Sequence, residues 1–391
     1  MRCCNVKKKL LSLTSYILVA ALASVLTLAM SARQGMALSK LDQLESLIDR
    51  YYIDDVDKTA LEDAAAEAMV SSNLLDRWSY YIPASEYETY LENSQNAYVG
   101  IGVTIAVAHD SYGIQILTVN PNSPAQEAGL QVDDVITEIE GHSTGEMTTT
   151  EARNLVRGKE GTTVTLTVWR NGQTLTIPVV RKKMGVTVAA GQLLEGNVGY
   201  VSILNFDDRC SQETIAAVED LLSQGAESMI FDVRNNPGGY AHELVKLLDY
   251  LLPEGDLFRT MDFAGREQVD ISGPECLDIP MAVLVNGNSY SAAEFFAAAL
   301  QEYDAAVVVG EKTTGKGHFQ STFPLRDGSA VALSIGRYYT PKGVSLEGQG
   351  ITPDVECQVD TQTGYAIYAQ QMDPQEDPQI QAALEALEAI Q

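Results

Sequence analysis

The sequence predicts a multidomain chain of mixed α+β and α/β architecture behind an N-terminal membrane helix. Three observations carry that prediction. Over residues 185–358, apolar strand-like runs alternate with helical patterns. Over residues 97–184, short strand patterns are separated by glycine-bearing turns, among them Asn171-Gly172, a strong hairpin signal. Ahead of both, an uncharged run from Leu10 to Ala32 is long enough to cross a bilayer as a helix.

With 391 residues the chain has room for two or three domains and a sizeable core. Its formal net charge of −27 argues against nucleic acid, because no basic patch is present to release counterions. Beyond Cys3 and Cys4, the cysteines (Cys210, Cys276 and Cys357) are odd in number and widely spaced, which favours buried free thiols over a disulfide framework. His109, His142, His242 and His318 show no metal-ligand spacing, so neither a metal nor another cofactor is expected.

Residues 1–36 read as a targeting segment. Arg2 and Lys7–Lys9 flank the apolar run and place the N-terminus in the cytoplasm and the body outside it. An uncleaved anchor is favoured, because the run is longer than a usual signal core. The rival is a cleavable signal peptide, for which Ala29-Met30-Ser31 offers small residues. Residues 37–96 form a helical region. Leu38, Leu41, Leu44, Ile48 and Tyr52 recur at helical spacing, a second helix covers Ala60–Val70, and a third covers Ser85–Asn93. Between the last two, Asp76-Arg77-Trp78-Ser79-Tyr80-Tyr81 breaks the pattern. The first apolar stripe serves either the protein's own core or a homodimer surface.

Residues 97–184 make a separate module. Strands are expected at Tyr98–Val103, Tyr112–Val119, Asp133–Glu140, Thr162–Trp169 and Leu175–Arg181, with helices at Ala125–Gly129 and Thr149–Val156. This order resembles a PDZ domain. Gly100-Ile101-Gly102-Val103 corresponds to that family's carboxylate-binding loop, and Ala125–Asp134 (AQEAGLQVDD) to its SPAxxAGLxxGD segment. Glycines there let backbone N–H groups point at a terminal carboxylate, beside an edge strand that accepts an extended peptide.

In residues 185–358, Val198–Leu204 is a strand and Ser211 is expected to cap a helix reaching about Leu222. The strand Met229–Val233 ends in Arg234-Asn235-Asn236-Pro237-Gly238-Gly239, and the helix His242–Tyr250 follows. A loop marked by Pro253, Gly255 and Pro274 leads to the strand Met281–Val285 and the turn Asn286-Gly287-Asn288. Ser291 then opens an alanine-rich helix, in which Ser291 and Glu294 have capping-box spacing. The strand Ala305–Val309 leads to the loop Gly315-Lys316-Gly317, and Ser329–Tyr339 is a last strand. Residues 359–391 read as a polar linker and an amphipathic helix presenting Ile380, Ala383, Leu384, Leu387 and Ile390.

Three features of the large module converge on one chemistry. The Gly238-Gly239 turn leaves backbone N–H groups unshielded near a helix start, which suits an anionic oxygen. Ser291 sits at another helix start, where the Ala292 N–H can join the same hole. Lys316 lies on a loop after the next strand, with Gln320 four residues on. A lysine can activate a serine if burial keeps its amine neutral, and an amide orients that amine without raising its pKa. His318 is the rival base; an ordinary surface histidine is the commoner reading of it.

At these residues the chain resembles the carboxy-terminal processing proteases, the tail-specific serine peptidases of family S41. Asp232–Gly239 is similar to their DLRxNPGG, Val285–Glu294 to VNxxSASASE, and Gly310–Gln320 to GExTFGKGxxQ. Arg337–Pro341 and Gly348–Asp354 are similar to the later YYTPxG and GxGIxPD stretches. The resemblance implies a crotonase/ClpP-like mixed sheet-and-helix protease core. It implies Ser291 as nucleophile, Lys316 as general base, Gln320 as orienting amide, and Gly238, Gly239 and Ala292 as the oxyanion hole. Departures are Tyr290 and Ala293 beside the nucleophile, Thr314 before the lysine, and Arg77 for a proline in a DPxSxY-like segment.

The function so implied is an extracytoplasmic endopeptidase that captures free substrate C-termini with its PDZ module. Two alternatives stand beside it. A non-catalytic PDZ adaptor with a degenerate core predicts loss of the serine, lysine or glutamine, and all three are present. A crotonase-like acyl-transfer enzyme shares the helix-start oxyanion hole but not the export segment. The resemblance adds a homodimer; Arg157 is a candidate link between module and core, with an ordinary solvated arginine as the commoner reading of it.

Overall fold

The computed structural model describes residues 39–71, 75–108, 113–369 and 371–390. The expected anchor or signal peptide at 1–36 lies outside the described residues, as does Tyr112. Among the described residues no helix is long and apolar enough to cross a membrane. The chain divides into two units, Met1–Ala66 and Glu67–Gln391.

In the first unit, helix α1 (Lys40–Tyr51) starts with a capping box. Asp42 N–H donates to Ser39 Oγ (3.1 Å), and Ser39 N–H donates to Asp42 Oδ2 (2.7 Å). The leucine stripe stays in solvent, with Leu41, Leu44 and Leu47 45%, 48% and 54% exposed. Helix α2 (Lys58–Val70) opens on Lys58, whose ammonium lies 2.5 Å from Asp49 Oδ2.

The second unit continues with β1 (Tyr80–Ile82), α3 (Ala84–Ser94) and β2 (Ala97–Gly100). The small module follows as β3 (Val103–Val107), β4 (Ile114–Val119), α4 (Pro124–Glu127), β5 (Val135–Ile139), β6 (His142–Ser143), α5 (Thr149–Val156), β7 (Thr163–Arg170) and β8 (Gln173–Val180). The main sheet has the order β3-β4-β5-β7-β8, so β3 is an edge. Alternate residues Val164, Leu166 and Val168 of β7 are fully buried against Ile114, Ile116, Ile136 and Ile139, the period-two pattern of a half-buried strand. Asn171 and Gly172 both take positive φ (49° and 83°), which the two-residue hairpin between β7 and β8 requires. Strand β9 (Lys182–Gly185) closes the module by pairing with β2.

The large module is built on the sheet order β10-β11-β12-β15-β16-β19: β10 (Ala189–Leu194), β11 (Val198–Ile203), β12 (Ser228–Asp232), β15 (Met281–Val285), β16 (Ala306–Gly310) and β19 (Val355–Glu356). All its pairings are parallel except β10 with β11. Every residue of β12 and β15 is buried, as expected of parallel strands covered on both faces. Helices α6 (Cys210–Ser223), α7 (Ala241–Leu251) and α8 (Ala292–Glu302) cover one face, where Val201, Phe231, Val283 and Phe296 meet. On the other face, Ile380, Ala383 and Leu387 of the terminal helix α10 (Pro378–Ile390) pack on Ile230, Ala282 and Leu284. The closing amphipathic helix therefore has its own domain as partner. The parallel register sets Asp232 beside Leu284 and Val285 beside Gly310. The loops that leave β12, β15 and β16 consequently stand side by side at one sheet edge, where α/β folds place their sites.

Several expectations are corrected. The stretch marked by Pro253 and Pro274 is a hairpin, β13 (Asp256–Asp262) with β14 (Glu267–Ile271), whose turn is closed by Asp262 Oδ1 accepting from Ala264 and Arg266 N–H. It joins a second sheet with β17 (His318–Pro324) and β18 (Ala330–Tyr339), and β1 pairs with β18. The cap of α6 is Arg209, at φ 74°, not Ser211. Ser211 lies inside the helix and donates N–H and Oγ–H to Glu243 Oε2 (2.8 and 2.6 Å). The expected linker after 359 contains α9 (Thr361–Tyr368), which Asp360 caps. All three described cysteines are free, but only Cys210 is buried; Cys276 is exposed and Cys357 intermediate.

Candidate active site

Ser291 joins a buried parallel strand to a helix, a connection that aims its side chain at the sheet edge. Its backbone takes φ 58°, ψ −127°, a region an L-residue adopts at a cost on the order of 1–3 kcal/mol. The surrounding turn is over-determined, which is what keeps such a conformation. Ser289 Oγ accepts from Asn286 N–H (3.0 Å) and donates to Val233 O (2.7 Å). Ser291 itself is only 6% exposed.

The Asn235–Gly239 turn is stitched to this one. Asn235 N–H donates to Asn286 Oδ1 (2.9 Å), and the amides of Asn286 and Asn288 both donate to Asn235 Oδ1 (3.0 Å each). Buried Asn236 donates to Ile203 O and accepts from Gly238 N–H, both at 2.8 Å. Gly238 is obligatory for space as well as for its φ of 88°: a Cβ there would stand 2.7 Å from Ser291 Cβ and 2.8 Å from Ala292 N. Because the Gly238 N–H is spent on Asn236, the expected oxyanion donors reduce to two. These are Gly239 N–H and Ala292 N–H, which have no backbone acceptor among the described residues.

The lysine loop is bound to the serine turn by Thr314, whose N–H donates to Ser289 O (3.2 Å) and whose Oγ1 donates to Gly287 O (2.7 Å). Beneath them lies Glu294, fully buried in the first turn of α8. Its Oε2 accepts from Ser291 N–H (3.0 Å) and Lys316 N–H (2.8 Å). Its Oε1 accepts from Gly315 N–H (2.7 Å) and Thr313 Oγ1 (2.5 Å). Burial pushes the Glu294 carboxyl above its ordinary value, against the pull of these four donors.

The Lys316 side chain is half-buried. Burial draws its amine below the ordinary lysine value, against the nearby carboxylates of Glu347, Asp76 and Glu294. Nζ stands 5.1 Å from the centre of the Trp78 ring and 5.7 Å from that of Tyr290. Gln320, on β17, donates its amide to Ser334 Oγ (3.0 Å) and His318 O (3.1 Å); no bond to Lys316 is made among the described residues. His318 Nδ1, the rival base on sequence grounds, stands 3.0 Å from Glu347 Oε2. The structure therefore brings together Ser291, Lys316, Gly238, Gly239 and Ala292, and leaves Gln320 one step removed.

Trp78 and Glu347 are site residues that no local pattern announced. Trp78 lies in the segment that interrupts the helical spacing, more than two hundred residues before the lysine, and its indole N–H donates to Glu347 Oε1 (3.2 Å).

In the small module, Gly100, Ile101, Gly102 and Val103 line one end of a groove of about 310 Å³ between edge strand β3 and helix α5. The loop is fixed by Ala125 N–H donating to Ile101 O (2.8 Å). Ile105, Ile136, Ile139 and Val156 give the groove an apolar floor, and Arg153 and Arg157 stand at its side. That combination suits an extended peptide with an apolar end.

Both modules are similar to known protein families. The family model described as peptidase family S41 matches residues 197–357, and a PDZ domain model matches residues 115–170. A probable CtpA-like serine protease of Staphylococcus saprophyticus is 32% identical over 332 residues, which cover 84% of this chain and 67% of that one. One from Staphylococcus aureus is 33% identical over 324 residues, 81% and 64% of the two chains. The chain thus spans about two thirds of the length of these relatives. Among solved structures, a photosystem II D1 C-terminal processing protease aligns at 26% identity and a TM-score of 0.47, covering 83% of this chain and 87% of that one.

Proposed function

The chain belongs to peptidase family S41, as a serine peptidase of the C-terminal processing type, and we propose that it cleaves exported polypeptides with Ser291 as nucleophile and Lys316 as general base. The observation that carries this reading is the anchoring of both residues on Glu294, which holds the Ser291 and Lys316 backbones together at the same sheet edge.

In the first half-reaction, Lys316 Nζ takes the Ser291 hydroxyl proton while Oγ bonds to the substrate carbonyl carbon. The carbonyl oxygen, now anionic, is received by the N–H groups of Gly239 and Ala292 at the positive end of α8. Collapse breaks the C–N bond, and the leaving amine takes the proton from Lys316. In the second half-reaction Lys316 takes a proton from water, the hydroxide attacks the acyl ester, and Ser291 Oγ departs with that proton. Among the described residues Gln320 hydrogen-bonds through its amide nitrogen, so its oxygen is the end available to steady the amine.

The PDZ groove would take the substrate C-terminus before the chain reaches Ser291. The basic flank and the uncharged run Leu10–Ala32 support a membrane anchor that leaves the body extracytoplasmic. The exposed leucines of α1 support a homodimer through the N-terminal helix. The test gives the full chain an unfolded protein with a free or an amidated C-terminus. Cleavage that Ser291→Ala abolishes and amidation slows is expected. Equal cleavage by Ser291→Ala removes the mechanism, and indifference to amidation removes the capture step alone.

A further inference from the structure

A lysine that works as a base must be kept dry, and the loop that carries Lys316 cannot do this alone, because it is flanked by glycines with no side chains to cover the amine. The cover comes from elsewhere in the chain. The Trp78 and Tyr290 rings lie 6.2 Å apart and 21° from parallel, and the Lys316 ammonium stands over both. Two contacts fix the indole, and one of them ties it to the lysine loop. Its N–H donates to Glu347 Oε1, the Arg77 guanidinium lies 4.2 Å above its ring, and Arg77 itself donates to the carbonyls of Thr314 and Gly315 (3.3 and 3.2 Å). Glu347 also accepts from Gly317 N–H (2.7 Å), so one carboxylate holds both the ring and the residue after the lysine.

We propose that Trp78 is a positioning residue for Lys316: its indole, with Tyr290, forms the wall that excludes water from the amine and fixes where the amine stands. This rests on the Ser291–Lys316 reading given above. Two forces compete at that wall. The π faces favour the ammonium, whereas the loss of water favours the neutral amine. The charged groups that act on the amine are the carboxylates of Glu347, Asp76 and Glu294, and the Arg77 cation lies 4.2 Å from the centre of the indole. Burial draws the Lys316 amine below its ordinary value against those carboxylates, and the two rings are part of what buries it.

The distinguishing readout is a pH profile, which a merely structural tryptophan would not move. The full chain and its Trp78 variants are treated with a fluorophosphonate ester, which reports serine activation without peptide recognition. Labelling is followed from neutrality to about pH 11. In the parent protein, labelling should rise through a midpoint below the ordinary lysine value. Trp78→Ala should move that midpoint upward by about one pH unit or more as water reaches the amine. Trp78→Phe should restore most of the difference, and Trp78→Leu, apolar but without a π face, should keep the midpoint low. If Trp78→Ala does not fold, Trp78→Gln fills the gap with a polar group and carries the same expectation. A midpoint that stays in place while labelling only slows overturns the inference and spares the Ser291–Lys316 reading. Absence of labelling in the parent protein removes both.

Discussion

Ser291 and Lys316 donate their backbone N–H groups to one carboxylate oxygen, Oε2 of Glu294, at 3.0 and 2.8 Å. Two residues on different loops are thereby referenced to a single buried atom, and the distance between their backbones depends on it. The second oxygen extends the arrangement to Thr313 and Gly315. Thr313 Oγ1 also accepts from Ile351 N–H (2.7 Å), so its own proton is committed to Glu294. All four partners of the carboxylate are therefore donors, which is the pattern an ionised acceptor satisfies.

Glu294→Gln should consequently be far from conservative. An amide turns a donor toward two groups that are themselves donors, and the bonds lost are to a charged group. A destabilisation on the order of 2–4 kcal/mol is expected, with loss of turnover. Melting temperature and turnover measured together check this. A variant that melts like the parent protein and cleaves normally would show that Glu294 is not the common anchor.

The direction of the Lys316 shift sets the pH dependence of cleavage. The base must be neutral, and burial lowers its pKa from the usual value of 10.5. Activity should therefore be low when the amine is protonated and rise with pH through the depressed pKa. Lys316→Arg should be inactive at every pH, since a guanidinium does not give up its proton, and Lys316→Ala should abolish turnover. The pH profile of kcat/KM is the measurement; a flat profile would exclude a titrating lysine as base.

Gly238 lies so close to the nucleophile that its substitution is a test of the turn. A Cβ there would stand 2.7 Å from Ser291 Cβ and 2.9 Å from Tyr290 O, and the residue sits at φ 88°. Gly238→Ala must push the two turns apart, which displaces the Ala292 N–H from the oxyanion position. A fall in kcat of about a hundredfold or more is expected, with a smaller effect on KM. Steady-state kinetics separate the two parameters, and an unchanged kcat would place the oxyanion elsewhere.

The site was legible in the sequence where chemistry and punctuation coincide. The strand Met281–Val285, the Asn286 turn and the helix after Ser291 are set by an apolar run, turn residues and an alanine-rich stretch that follow one another in the chain. The Asn171-Gly172 hairpin was likewise carried by two residues that accept positive φ. What the sequence did not show depends on partners far along the chain. Strand β1 exists because Tyr80, Tyr81 and Ile82 pair with Ala332, Val331 and Ala330. The β13–β14 hairpin was hidden by the prolines around it and by strands whose burial does not alternate from residue to residue. Asn236 occupies the Gly238 N–H and so takes it out of the oxyanion hole, a bond no spacing rule reveals.

Asp207 offers a stability test next to the same turn. It follows Phe206, whose N–H donates to Gly238 O (2.7 Å). Burial, helped by the neighbouring charge of Asp208, pushes its carboxyl up to about 7 from the usual 3.8. Between those two values the folded chain holds a proton that the unfolded chain has released, so stability falls as pH rises through this window. Below it the group costs nothing, and above it the full cost of an ionised, poorly solvated carboxylate is present. Asp207→Asn removes the ionisation and should stabilise the protein by on the order of 1–2 kcal/mol at pH 8, after discounting for partial exposure. The gain should shrink at pH 5 and vanish near pH 4. Urea midpoints of the parent protein and the variant at the three pH values decide it, and a gain that is the same at all three would show that Asp207 ionises normally in the folded state.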